Sequence, residues 1–135
     1  MLVPDECIDR WEFIRQHLDK ALVHSQGEWS ANDILKKVLS DSKSFHIWEV
    51  TQDDKVVAIA TTRIVYYNHY DVLRIFTLAN VGDAKWTDYQ EDALDKIAQV
   101  AKEVGLKRLE FIGRQGWERR LKDWNLLHVT MGMEL

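Results

Sequence analysis

The chain has 135 residues, a formal net charge of −4 and a single cysteine, with 46% apolar and 30% charged residues. That length buries a core without metal or disulfide staples and points to one domain over residues 1–135. Cys7 alone excludes an internal disulfide and a thiolate metal cluster, and the acidic balance argues against general affinity for polyanions.

In chain order, the apolar residues Ile8, Trp11, Ile14, Leu18 and Leu22 recur at helical spacing from Cys7 onward. The single proline, Pro4, stands just ahead of them, and Gly27 closes the segment. Ser30 followed by Asp33 has the form of a capping box. It predicts a second helix whose buried stripe is Ile34, Leu35 and Val38.

The period then changes. "FHIWEV", "KVVAIATTRIVYY" and "VLRIFTLANV" are rich in β-branched and aromatic residues and are separated by the turn-forming "TQDD" and "NHYD". Three antiparallel strands are expected. The second is apolar on both faces through Val56–Ala60, so it belongs in the middle of the sheet. Beyond "VGDAKW", Thr87 and Gln90 form a second capping-box pattern, predicting a helix from Asp88 with Leu94, Ile97, Ala98, Ala101 and Val104 on one face and Gly105 as its stop. "LKRLEFIG" follows as a strand, and the strand–helix–strand order fits a right-handed crossover between parallel strands. Trp117, Leu121 and Trp124 predict a short helix. The alternation of Leu127, Val129, Met131, Met133 and Leu135 predicts a half-buried terminal strand.

Motifs for chemistry are sparse. Glu49 is a candidate general base, although strand alternation also suits a water-facing position; no other catalytic residue is assigned. His17, His24, His46, His69 and His128 lack metal-ligand spacing, so no metal site is expected. His46 and Trp48 share a strand face, where packing is the expected role. Tyr66, Tyr67 and Tyr70 cluster at a hairpin end and suit aromatic contacts or a partner surface. Trp29 and Trp86 fall where helices begin, positions suited to a protein interface or to packing. Lys107, Arg108, Arg114, Arg119, Arg120 and Lys122 form a local basic excess, expected as a solvated face, with a nucleic-acid contact through Arg114, Arg119 and Arg120 as the weaker alternative. No apolar run reaches the ~18 residues of a membrane span, and the acidic, broken N-terminus does not read as a signal peptide.

The order helix, helix, three antiparallel strands, helix, parallel strand, short helix, strand resembles the GNAT acetyltransferase superfamily without a clear first strand; "MLVP" stands where that strand would be. "LVPDECIDRW", "VLRIFTLANVG" and "GRQGWERRLKDW" are similar to short GNAT-like proteins of tailed bacteriophages and prophages. The resemblance implies an α/β (α+β) fold: a mixed, mostly antiparallel sheet with helices on both faces and a splayed central pair of parallel strands. It further implies that Val72–Val81 and Leu106–Ile112 are that pair, that Leu78, Ala79 and Asn80 face the pantetheine arm of acetyl-CoA, and that Val81, Gly82 and Asp83 begin the pyrophosphate loop.

The sequence departs from the family where the cofactor is held most strongly. The R/Q-x-x-G-x-G/A signature is missing, and "VGDAKWTDYQ" supplies one glycine with Asp83 and Asp88 against Lys85. The tyrosine that serves as general acid in the family is also absent from "GRQGWERRLKDW". The expectation is a GNAT-like protein with a degenerate acetyl-CoA site, a non-catalytic interaction module with a phage or host protein as partner, in the host cytoplasm or in the virion. The alternative is an active acetyl-CoA-dependent N-acetyltransferase acting on an amine. A homodimer through the C-terminal strand is a further expectation; a membrane partner is not expected.

Overall fold

A computed structural model describes residues 1–23, 27–112, 121, 123–127 and 130–135. The expected helix through Trp117, the GR-x-GW segment, Arg114, Arg119, Arg120, Lys122, His24, His128 and Val129 lie outside those residues in whole or in part.

Helices α1 (Pro4–Asp9), α2 (Trp11–Leu22) and α3 (Ala31–Ser40) come first, followed by strands β1 (Phe45–Gln52), β2 (Lys55–Tyr66) and β3 (Asp71–Asn80), helix α4 (Trp86–Glu103) and strand β4 (Arg108–Phe111). The sheet runs β1-β2-β3-β4, antiparallel except for the parallel β3–β4 pair. The three N-terminal helices cover one face, burying Cys7, Ile14, Leu18, Ile34 and Val38 against Ile47 and Ile59. Helix α4 covers the other, with Ile97 and Ala101 against Trp48, Ala60, Leu73 and Ile75. The sheet is therefore mixed and helix-covered on both faces, as the element order implied, and β2 is the buried interior strand, with Ala58 to Thr62 all buried.

Four local expectations change. The first helical run is two helices, because Arg10 leaves helical geometry at φ −106°, ψ 15°. The break turns Cys7 inward and leaves Ile8 in solvent. Helix α4 begins at Trp86 after Lys85, without a side-chain cap, so the Thr87–Gln90 box is unused. Its buried stripe is Trp86, Tyr89, Ala93, Ile97 and Ala101, while Val104 is exposed. Burying Trp86 and Tyr89 outweighs the ~1 kcal/mol that a cap contributes. "MLVP" makes no strand but keeps one rung, the Leu2 N–H donating to Ile47 O at 2.9 Å. Finally, the described part of the terminal segment is not a strand, and Leu127, Met131, Met133 and Leu135 are exposed. A half-buried strand needs a paired neighbour, and among the described residues nothing pairs with this one. The Ser30–Asp33 capping box forms as expected, with reciprocal bonds of 3.1 and 2.9 Å.

Candidate functional site

The geometry of interest is set by an irregularity in β3. Its register with β2 passes from Thr61↔Thr77 to Thr62↔Ile75, leaving Phe76 as an extra residue. A bulge of this kind changes which backbone groups face each neighbour. Below it, Ile75 O faces β4 and accepts the Ile112 N–H at 3.0 Å, the last rung of a ladder that runs Val72↔Arg108 to Ile75↔Phe111. Above it, the Val81 N–H donates to Val57 O at 2.9 Å. Antiparallel alternation then gives Ala79 and Thr77 to β2 and turns the N–H and C=O groups of Leu78 and Asn80 toward the β4 side. No described residue of β4 pairs with them. The two parallel strands thus part company after Ile75.

The loop that follows is built by Gly82. Its φ of +61°, with Ala84 N–H donating to Val81 O at 3.3 Å, makes a tight turn whose first corner is left-handed. A cavity of about 400 Å³ lies against this turn, lined by Gln52, Lys55, Val56, Val57, Val81 to Lys85, Asp88 and Tyr89. Its charged lining is balanced, Lys55 and Lys85 against Asp83 and Asp88, so it carries no cationic excess toward a diphosphate.

Apolar packing occupies the α4 side of the parted strands. Leu121, 5% exposed, joins Trp86, Tyr89 and Ala93 in one buried cluster. Leu78 from the end of β3, Phe111 from the end of β4, and Trp124 pack against it. Tyr89 donates its hydroxyl proton to Asn80 Oδ1, and burial pushes the phenol up to about 12. This is the tyrosine that sequence reasoning passed over. Its signal was present as the Trp86–Tyr89–Ala93 spacing, hidden by placing the helix start two residues late.

The other candidates fall elsewhere. Glu49 is held away from bulk water: its side chain is 9% exposed on edge strand β1, with Oε2 2.5 Å from Arg10 Nη2, and it lines a cavity with Tyr89 and Ala93 of α4. Cys7 is fully buried, and burial with nearby Glu6 and Glu49 pushes its thiol up to about 11, which makes it inert at neutral pH. His46 and Trp48 both meet Thr62. The indole N–H donates to Thr62 Oγ1 at 2.8 Å, and Thr62 Oγ1 is hydrogen-bonded to His46 Nδ1 at 2.9 Å. His46 Nε2–H then donates to Lys43 O at 2.9 Å. Each polar atom of this relay has a partner, which is a packing role, and burial, which lowers the His46 pKa, favours the neutral ring. Trp29 packs on Phe45 and Phe76. Among the described residues, no three His, Cys, Asp or Glu side chains are placed to share a metal ion, and no helix is long and apolar enough to cross a membrane.

A second polar constellation lies on the sheet face opposite α4. Glu110, 4% exposed, accepts from Arg74 Nε and Nη2 at 3.2 and 3.0 Å and from Arg108 Nε and Nη2 at 3.0 and 2.5 Å. The Tyr67 hydroxyl donates to Glu110 at 3.1 Å and accepts from Arg74 Nη2 at 2.8 Å. Burial alone would raise the Glu110 carboxyl; the bonds from Arg108, Arg74 and Tyr67 outweigh it and hold the group below its ordinary value.

This architecture defines a class. No protein-family profile matches the sequence, and no curated protein is detectably related to it. Solved structures do match. A GNAT family acetyltransferase of Staphylococcus aureus superimposes with a TM-score of 0.64 at 11% identity, over 94% of this chain and 93% of that one. A predicted acetyltransferase of Clostridium acetobutylicum, solved with acetyl-CoA, gives 0.64 at 12% identity over 96% and 90%. The tetramutant of the BH1408 protein of Bacillus halodurans gives 0.68 at 11% identity over 95% and 96%. The chain has the fold of the GNAT acetyltransferases.

Proposed function

We propose that this protein is a GNAT-fold interaction module whose acetyl-CoA cleft is closed by its own side chains. The observation that carries the reading is the apolar cluster of Trp86, Tyr89, Leu121, Leu78 and Phe111 at the ends of the two parted strands. A pantetheine arm pairing with Leu78 and Asn80 would run along this cluster. Val81 and Gly82 begin a cavity with no net positive charge for the diphosphate. The residues present do not fit the cofactor, so no acyl-transfer step is derived from them. The resemblance to short phage and prophage GNAT-like proteins makes a phage or host protein the favoured partner, in the host cytoplasm or in the virion. The exposed apolar residues Leu127, Met131, Met133 and Leu135 fit pairing of this segment with the outer edge of β4 in a second copy.

Isothermal titration with acetyl-CoA tests the reading. No heat is expected for the wild-type chain at millimolar cofactor. Leu121→Ala is expected to lower stability by about 2–5 kcal/mol, the range for deleting a buried leucine, without affecting a binding event that the wild type lacks. Micromolar binding by the wild-type protein, lost on substituting Gly82 with a bulky residue, would overturn this reading and favour the second one, an active N-acetyltransferase.

A further inference from the structure

The transverse row Arg63↔Arg74↔Glu110 crosses β2, β3 and β4 on the sheet face opposite α4. With Arg108 it places two guanidinium groups on one carboxylate, and a third, that of Arg63, next to Arg74. Glu110 is saturated by Arg74, Arg108 and Tyr67. Arg63 is left over. It stands beside Arg74, half-buried, and no carboxylate among the described residues pairs with it; burial and the neighbouring Arg74 both weaken its hold on its proton, offset in part by Tyr67. A half-buried guanidinium beside another one, with no carboxylate of its own, leaves its fork of donors available to an incoming acid. Arg108 lies over the rings of Tyr67 and Tyr70, 6.0 and 5.3 Å from their centroids, and the two rings stack edge to face at 5.5 Å. Tyr70 is 38% exposed. Arginine and tyrosine at the edge of a desolvated ion pair is the composition of a protein-binding hot spot.

We propose that Arg63 and Arg74, flanked by Tyr67 and Tyr70, form a docking site for a side-chain carboxylate of an acidic partner peptide. The row already accommodates one carboxylate on the guanidinium forks of Arg74 and Arg108, and a second one from outside would complete a pattern of three arginines and two acids. A planar fork takes a carboxylate through two parallel bonds. A nucleic acid fits less well: the basic row is one residue deep, Glu110 sits within it, and the chain is acidic overall. These residues lie apart from the acetyl-CoA cleft, so the cofactor titration has no bearing on the proposal.

The test titrates a short capped peptide alternating Glu with Gly, and its Gln–Gly counterpart, into the full chain while following the arginine Nε–H signals by NMR. The Glu peptide is expected to move the Arg63 signal at millimolar concentration, and the Gln peptide to leave it in place. Arg63→Gln is expected to weaken binding about tenfold or more and to raise the melting temperature, because it removes an unpaired charge; Arg63→Lys should retain part of the binding. The stability arm separates docking from a structural role, since a structural arginine would lower the melting temperature on removal. The proposal fails if Arg63→Gln leaves binding unchanged or lowers the melting temperature, or if both peptides bind alike. It also fails if a single-stranded oligonucleotide moves the signal at lower concentration than the Glu peptide.

Discussion

Glu110→Gln is the sharpest perturbation of the ion row. The substitution keeps the shape of the side chain but removes its charge, and it turns an amide NH₂ toward one of two arginines that had donated to a carboxylate oxygen. Charges about 4 Å apart attract by about 4 kcal/mol at an effective dielectric of about 20. The Arg74 contact, with side chains 12% and 4% exposed, keeps much of that, whereas the Arg108 side chain is 38% exposed and its share is screened. Breaking a buried pair by removing one partner costs about 3–5 kcal/mol, and that is the expected loss at pH 7. The pH dependence gives a second reading. The folded-state pKa of Glu110 is depressed, so its contribution is full above the unfolded value near 4.5 and is lost as pH falls through the folded value. Urea unfolding of both proteins from pH 7 down to pH 2 should show a large gap that narrows toward acid, at unchanged slope. A gap below about 1 kcal/mol at pH 7, or one that persists unchanged at pH 2, would refute this account of the row.

Three further outcomes follow from local geometry. Asp53 and Asp54 both hold left-handed backbone, φ 52° and 63°, at the two corners of the β1–β2 hairpin; replacing them with Asn-Gly, the pair such turns favour, should raise stability by about 1 kcal/mol in thermal unfolding. Thr62→Val strands both the Trp48 indole N–H and His46 Nδ1, and a loss of about 1–3 kcal/mol is expected, read from the urea midpoint. Burial holds the imidazoles of His17 and His46 below their ordinary value. The unfolded chain therefore binds protons first, and stability should be full above about pH 6.5, fall as pH drops below it, and level off below the folded values; replacing both histidines with Gln should flatten that step.

Much of the fold is written locally. The 3.6 and 2.0 periods mark the helices and strands, the Ser30–Asp33 box and Gly105 mark helix ends, and the doubly apolar run Val56–Ala60 marks β2 as interior. These follow from each residue's own preferences and its near neighbours, so the sequence by itself determined the order from α3 to β4 and the mixed sheet. The two-helix start was not legible, because Arg10 breaks helical geometry for reasons outside its local pattern, where it meets Glu49 on β1. Nor was the start of α4, where burial of Trp86 and Tyr89 overrides a plausible cap. The extra residue at Phe76, the meeting of Leu121 with α4, and the row Arg63–Arg74–Glu110 were decided only by tertiary structure. The extra residue and the row depend on strand register, where a shift of one residue sends side chains to the opposite face of the sheet; Leu121 meets Trp86, Tyr89 and Ala93 across a separation in sequence that no local pattern encodes.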